Sequence, residues 1–411
     1  MKYNFLFTKL GGNAYFVVIA ISLMISTLCS SLLYLVLVRN LEYKEFDSYC
    51  RLVSLSKSGI NIALSSDSPE AGDSLFFHLS DDFNDTVVVK KNIWGCFEIC
   101  SVHSKYNRKS LDKYFLSGVE NKLVKDYALY LADHNVPFRL GDAYVNGDCY
   151  LPKGKFEKVG FSSKGVIKGK LYNSSASVPK PDTSFLKYVG LSGSHLMVKE
   201  WMVDVDLPSF NSFSGPTQYI HITEYLNIKD SIKGNMVIFC DKEVKVAAGA
   251  HTDDIIIIAP VVTFEAGFEG SLQVFARDSI VVGENCKLLY PSILCNVKHQ
   301  SSMFQPHIRI GKFSSLKGAI FTIDNSSDFQ KPLIILEEGV YVEGFVSTGG
   351  FVRLRGMIAG NVSANKLIGR KADCINCLSE AQIDPYALSS HYVSPVIYGS
   401  GLRKKLIKWL D

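Results

Sequence analysis

The longest apolar run of the chain lies near its start. Residues 14–38 are almost wholly apolar, and no charged side chain stands between Lys9 and Arg39. That is enough chain to cross a hydrocarbon layer as a helix. Small residues at Ser26, Thr27, Cys29 and Ser30 would suit a cleaved signal peptide, but the run continues from Leu32 to Val38. Leu28 before Cys29 does not suit a lipoprotein site. A retained anchor is therefore expected, with the short basic flank (Lys2, Lys9) in the cytoplasm and everything after Arg39 translocated. Beyond it, Phe46, Cys50, Val53, Leu55, Ile60 and Ile62 are spaced for a helix that leaves the membrane and breaks at Gly59. Residues 65–82 form a Ser, Asp and Gly-rich loop, and 86–90 and 92–102 make two strands.

The C-terminal half repeats. Leu226, Val244, Val262, Ile280, Ile308, Ile334 and Val352 each open an apolar-polar-apolar triplet. The first four starts are eighteen residues apart, as are the last two, and the intervals between them are twenty-eight and twenty-six. The longer intervals contain the polar stretches 298–306 and 324–332, expected as loops pushed out of a regular coil. A second apolar run follows at Ile238, Ile256, Val274 and Ile320, with Ile293 one out of step, and glycine recurs at Gly249, Gly267 and Gly339. Coils of this kind have too little core to fold alone, so stacking must place their aliphatic side chains over one another.

The expected fold is mainly β: an N-terminal transmembrane helix, a small α+β membrane-proximal module and a C-terminal β-helix (solenoid) of about seven coils. The divisions are 1–39 (cytoplasmic tip and transmembrane helix), 40–126 (membrane-proximal helix and strands) and 127–225 (β-rich connecting region). Then come 226–372 (β-solenoid) and 373–411 (C-terminal cap and basic amphipathic tail). The tail alternates Arg403, Lys404, Lys405 and Lys408 with Leu406, Ile407, Trp409 and Leu410, as a short amphipathic helix packed on its own domain would.

Composition changes this picture little. With 20% charged residues and a net charge of +4, the chain is an ordinary globular sequence carrying no footprint for nucleic acid. The close cysteine pairs Cys96 with Cys100 and Cys374 with Cys377 could form disulfides in an oxidising compartment, but a lone Cys-x-x-Cys is not a zinc site. His251, His299 and His307 lie in or beside the coils, where a hexapeptide-repeat acyltransferase would keep its base. Val282-Gly283 and Ile310-Gly311-Lys312 match that repeat only in part, and exposed loop histidines are the simpler reading. Asp81-Asp82, Asp253-Asp254 and Glu337-Glu338 are adjacent carboxylates that cannot converge from a strand without a turn, so solvated corners are expected. Asp324, Glu337 and Arg353 have no positional claim to a lyase groove. No catalytic, cofactor-binding or metal residue is assigned.

Trp94-Gly95-Cys96-Phe97-Glu98, then 129–137, then Gly147-Asp148-Cys149-Tyr150-Leu151-Pro152-Lys153-Gly154 resemble, with the anchor, uncharacterised single-pass envelope proteins of Bacteroidota. The coils resemble bactofilins, which implies a polymer-forming scaffold. The expected function is a membrane-anchored, non-enzymatic envelope scaffold. Its partners would be the lipid bilayer and either other copies of itself or an envelope protein, not nucleic acid. The order of apolar helix, amphipathic helix and small sheet also looks like type IV pilins and pseudopilins, whose apolar helices bundle into a filament core. It departs from them in that the fifth residue after Gly12 is Val17 rather than Glu.

Overall fold

The computed structural model describes residues 13–65, 70, 72–78, 85–120, 126–160, 162–189, 202–203, 206–298, 304–324, 330–369, 374–398 and 403–410. The chain opens with helix α1 (Asn13–Ala63), 51 residues without interruption. An antiparallel meander follows: β1 (Ser74–Phe77), β2 (Asp85–Trp94), β3 (Phe97–Tyr106) and β4 (Lys109–Val119). β1 pairs with β2, β2 with β3 and β3 with β4. Alternation in β2 sends Val87 and Val89 to the face that receives the helix, where they join Leu55, Ala63, Cys100, Val102 and Phe115 in one buried cluster.

Gly59 does not break the helix. It lies where the helix comes closest to the sheet, and a Cβ there would stand 2.5 Å from Val102 Cγ1 and 2.8 Å from Val87 Cγ1. The sheet is completed from the far end of the sequence. The tail forms a strand, Lys404–Leu410, antiparallel to β4, and not the amphipathic helix its basic-apolar spacing suggested. The free hydrogen-bonding edge of β4 decides between the two conformations. A register shift between Leu406 and Lys408 changes the faces to which the side chains point.

The remaining strands run parallel, and the eighteen-residue reading is visible directly in their register. Leu226 pairs with Val244, Val244 with Val262, Val262 with Ile280, Ile280 with Ile308, Ile308 with Ile334 and Ile334 with Val352. All seven belong to, or pack against, one aliphatic cluster inside the stack. The second column is Ile238, Ile257, Val274, Leu294, Ile320 and Val346. Ile256 and Ile293, which the sequence suggested for this column, point instead to the opposite face. Long strands such as Leu272–Val282 turn a corner, pairing through 273–276 with Lys287–Lys298 and through 279–282 with His307–Ile310. Through such bends, six strands pair in a closed parallel cycle.

The stack is not built in chain order. Val362 pairs with Leu129, Leu129 with Cys149 and Cys149 with Leu171. Segments from 127–225 therefore supply both of its ends, 129–173 at one and 202–222 at the other. Cys377–Leu378 and Gln382–Ile383 are threaded between Met357–Leu367 and the strands at 138–146. The stretch 373–411 is thus not a cap over an end: part lies within the stack and part closes the antiparallel sheet.

Candidate functional site

Helix α1 has two halves of opposite character. Residues 14–37 are exposed throughout, and the most apolar 18-residue window has a mean hydropathy of 2.3 with none of it buried. Three of its polar side chains are satisfied internally: Ser22, Thr27 and Ser31 donate to the carbonyls of Ile19, Met24 and Leu28 at 2.8–2.9 Å. They therefore bring no unpaired donor into an apolar medium. The other half is seated. Leu52, Leu55, Ser56 and Ala63 are buried at helical spacing, Arg51 lies 5.3 Å over the Tyr106 ring, and Lys109 pairs with Glu45 at 3.7 Å.

Below the seat, the sheet buries charge. Glu98 accepts from Lys404 Nζ at 2.7 and 2.8 Å, and Lys91 Nζ stands 3.7 Å from the same carboxylate. Lys91 has no exposed surface. Burial lowers its pKa to about 8 against the attraction of Glu98. For Lys404, burial is outweighed by Glu98, and its ammonium is held above the usual range. Two ammonium groups sharing one carboxylate make the sheet dependent on Glu98.

The opposite face of the sheet is locked onto the parallel stack. Trp94, Cys96, Phe97, Leu116 and Leu410 share a cluster with Ile256, Phe275, Ile293, Cys295 and Phe321. At the β2–β3 turn, Gln273 accepts from the Cys96 amide at 2.8 Å and donates to the Trp94 carbonyl at 3.0 Å. Lys408 of the C-terminal strand reaches Asp253 Oδ1 at 2.9 Å and Asp254 Oδ1 at 2.7 Å. These two carboxylates are not solvated corners: a positive φ of 61° at Asp254 supplies the turn that lets neighbours converge. Burial raises the pKa of Asp254 despite Lys408. On Asp253, burial is outweighed by Ser271 and Lys408, and the carboxyl is held below its usual range. The anchor, the sheet and the stack are therefore continuously packed.

The other sequence candidates do not converge. His251 is exposed, His307 is half-buried, and His299 and Asp81-Asp82 lie outside the described residues. Glu337 pairs with Arg309 at 3.0 Å, Glu338 with Arg355 at 3.7 Å and Asp324 with Lys331 at 3.0 Å. The last pair lines a groove of about 590 Å³ with Val178, Lys180, Thr322 and Asn365. Cys96 and Cys100 fall in clusters on opposite faces of the sheet, so the spacing that suggested a disulfide does not bring them together. Cys374 and Cys377 are free thiols. Among the described residues, no three His, Cys, Asp or Glu side chains are placed to hold a metal ion. Sequence reasoning missed Lys91, Glu98 and Lys404. The available signal was a lysine continuing the inward alternation of Val87 and Val89.

No family model and no curated protein matches the chain. Among solved structures, it is similar to the competence-associated pilin ComZ from Thermus thermophilus, with 10% identity over 84% of this chain and 89% of that one and a TM-score of 0.20.

Proposed function

We propose that this chain is a pilin-like assembly subunit of a bacterial envelope. The free half of α1 anchors it in the membrane and bundles with like helices on assembly. The antiparallel sheet then carries the parallel stack outward as a rigid head, read as a β-solenoid whose seven expected coils are extended by turns from 129–173. The scaffold role of the stack is kept in this reading, and the anchor becomes an assembly element.

One observation carries it. A single uninterrupted helix leaves residues 14–37 bare and apolar while embedding Leu52, Leu55 and Ala63 in an antiparallel meander. A simple tether needs no such rigid seat, because a flexible linker would hold a head to a membrane equally well. A helix that must present a fixed apolar face to neighbouring helices does need one.

The test is the mature N-terminus. After co-expression with a prepilin peptidase, mass spectrometry should find the chain shortened near Gly12. A chain that keeps Met1, or loses only that residue, would return it to a simple anchored scaffold.

A further inference from the structure

Within the stack, charges are matched from turn to turn. Lys245 pairs with Glu265 at 2.7 Å, Lys287 with Glu269 at 3.1 Å, Arg309 with Glu337 at 3.0 Å and Lys317 with Glu343 at 3.4 Å. Lys242 also pairs with Glu224. At the end formed by 149–173 the matching stops. Residues 149–181 contain seven lysines against one glutamate, although the whole chain has a net charge of only +4. All seven are exposed, and among the described residues none makes an ion pair. The glutamate, Glu157, is matched inward by Arg139 at 3.8 Å.

The same end is open as a sheet. Phe156–Lys158, Val166–Lys168 and Leu171–Asn173 each pair on one side only among the described residues. Val166, Leu171 and Tyr172 are exposed there, and Tyr172 ends a row of rings in which Tyr130, Tyr150 and Tyr172 stack 5.0–5.5 Å apart. At the other end, Leu226–Ile228 and Phe210–Asn211 also pair on one side only. Tyr225 and Phe210 are exposed, as are the acids Asp206 and Asp230 and one base, Lys229; neither acid makes an ion pair among the described residues.

We propose that the basic end of one stack docks on the acidic end of a second copy, head to tail. Because the strands of the stack are parallel, moving a copy along the stack axis brings a donor-acceptor edge onto an edge of the same polarity, at ordinary strand spacing. The lysines left unmatched in the last turn would then meet acids of the next copy's first turn. Such a contact uses two different surfaces, so it propagates as an open row and not a closed dimer. It does not rest on the assembly role given to α1: peptidase processing and end-on docking can fail independently.

The experiment uses full-length protein in detergent, with mass followed by sedimentation velocity against protein and salt concentration. Two variants are compared with the wild type: Lys164→Glu/Lys168→Glu/Lys170→Glu at the basic end and Asp206→Lys/Asp230→Lys at the acidic end. Wild type should form concentration-dependent rows that shorten as salt rises. Each variant alone should weaken association by about tenfold or more, and an equimolar mixture should restore it, because both kinds of junction then join opposite charges. Association equal to wild type in either variant alone would place the contact elsewhere, on the helix for instance, and overturn the proposal. So would a wild type that stays monomeric at low salt. A monomer whose basic-end variant loses binding to anionic vesicles would make that end a lipid-facing surface instead.

Discussion

Gly344, the middle one of three stacked glycines, is a position where one methyl group should damage the parallel stack severely. It stacks in register between Gly318 and Gly360, and all three have a positive φ, of 147°, 142° and 150° in chain order. A Cβ on Gly344 would lie 1.7 Å from the Gly318 carbonyl oxygen, whereas carbon and oxygen in neighbouring strands approach to about 3.3 Å. The turns would have to part by about 1.6 Å, which breaks the adjacent ladder hydrogen bonds, each worth about 1 kcal/mol net. The backbone strain of an alanine at this φ adds about 1–3 kcal/mol. Gly344→Ala should therefore cost about 3–5 kcal/mol and lower the unfolding midpoint by about 5–10 °C. Gly349 supplies the control: it lies in the same strand with nothing within 4 Å of its would-be Cβ, so Gly349→Ala should change stability by less than about 1 kcal/mol. Thermal unfolding of the detergent-solubilised protein, with hydrogen exchange across 315–324 and 357–367, reads both. Equal midpoints and unchanged exchange in the two variants would refute the stacked register.

The helix seat, the buried charges and the thiols give further tests. Gly59→Val should lift α1 from Val87 and Val102 and expose the 52–63 segment to limited proteolysis, while Lys57→Ala, on the exposed side of the helix, should not. Glu98→Gln leaves Lys91 and Lys404 buried together and should cost about 3 kcal/mol or more by chemical denaturation. In the parent protein the folded pKa of Lys91, about 8, lies below its unfolded value, so the unfolded chain binds more protons between about pH 8 and 10.5. Stability contributed by this group should therefore rise with pH across that window, and the rise should vanish in Lys91→Met. Maleimide should label the exposed Cys50 of the folded protein, which lies beyond the apolar half of α1, and spare Cys96, Cys100 and Cys295, whose thiols burial pushes up in pKa. Rapid labelling of Cys100 would show that the helix does not cover the sheet.

The repeat was legible because the interior positions take apolar side chains, and the Val244, Val262 and Ile280 column takes aliphatic ones, which makes its spacing a direct record of stacking. The one-residue errors at Ile256 and Ile293 share a cause. Those strands are buried on both faces, one against the stack interior and one against the antiparallel sheet, so the alternation that marks a half-exposed strand is absent. Pairings across long sequence separations were not legible. Nothing local to Leu129 announces Val362, and nothing in Lys404–Leu410 announces β4, so its basic-apolar alternation fits helix and strand alike. The convergence of Asp253 and Asp254 on Lys408 was hidden for the same reason, since its partner lies some 150 residues away in the sequence.

The central claim is that α1 holds the head outside the membrane on a helix that also serves assembly. Protease accessibility in intact spheroplasts, with mass spectrometry of the protected N-terminal fragment, tests it most directly. External protease should digest the chain beyond Arg39 and leave a protected fragment that spans the apolar half of α1 and begins near Gly12. Full protection of the region after Arg39 would place the head in the cytoplasm and contradict the pilin-like reading.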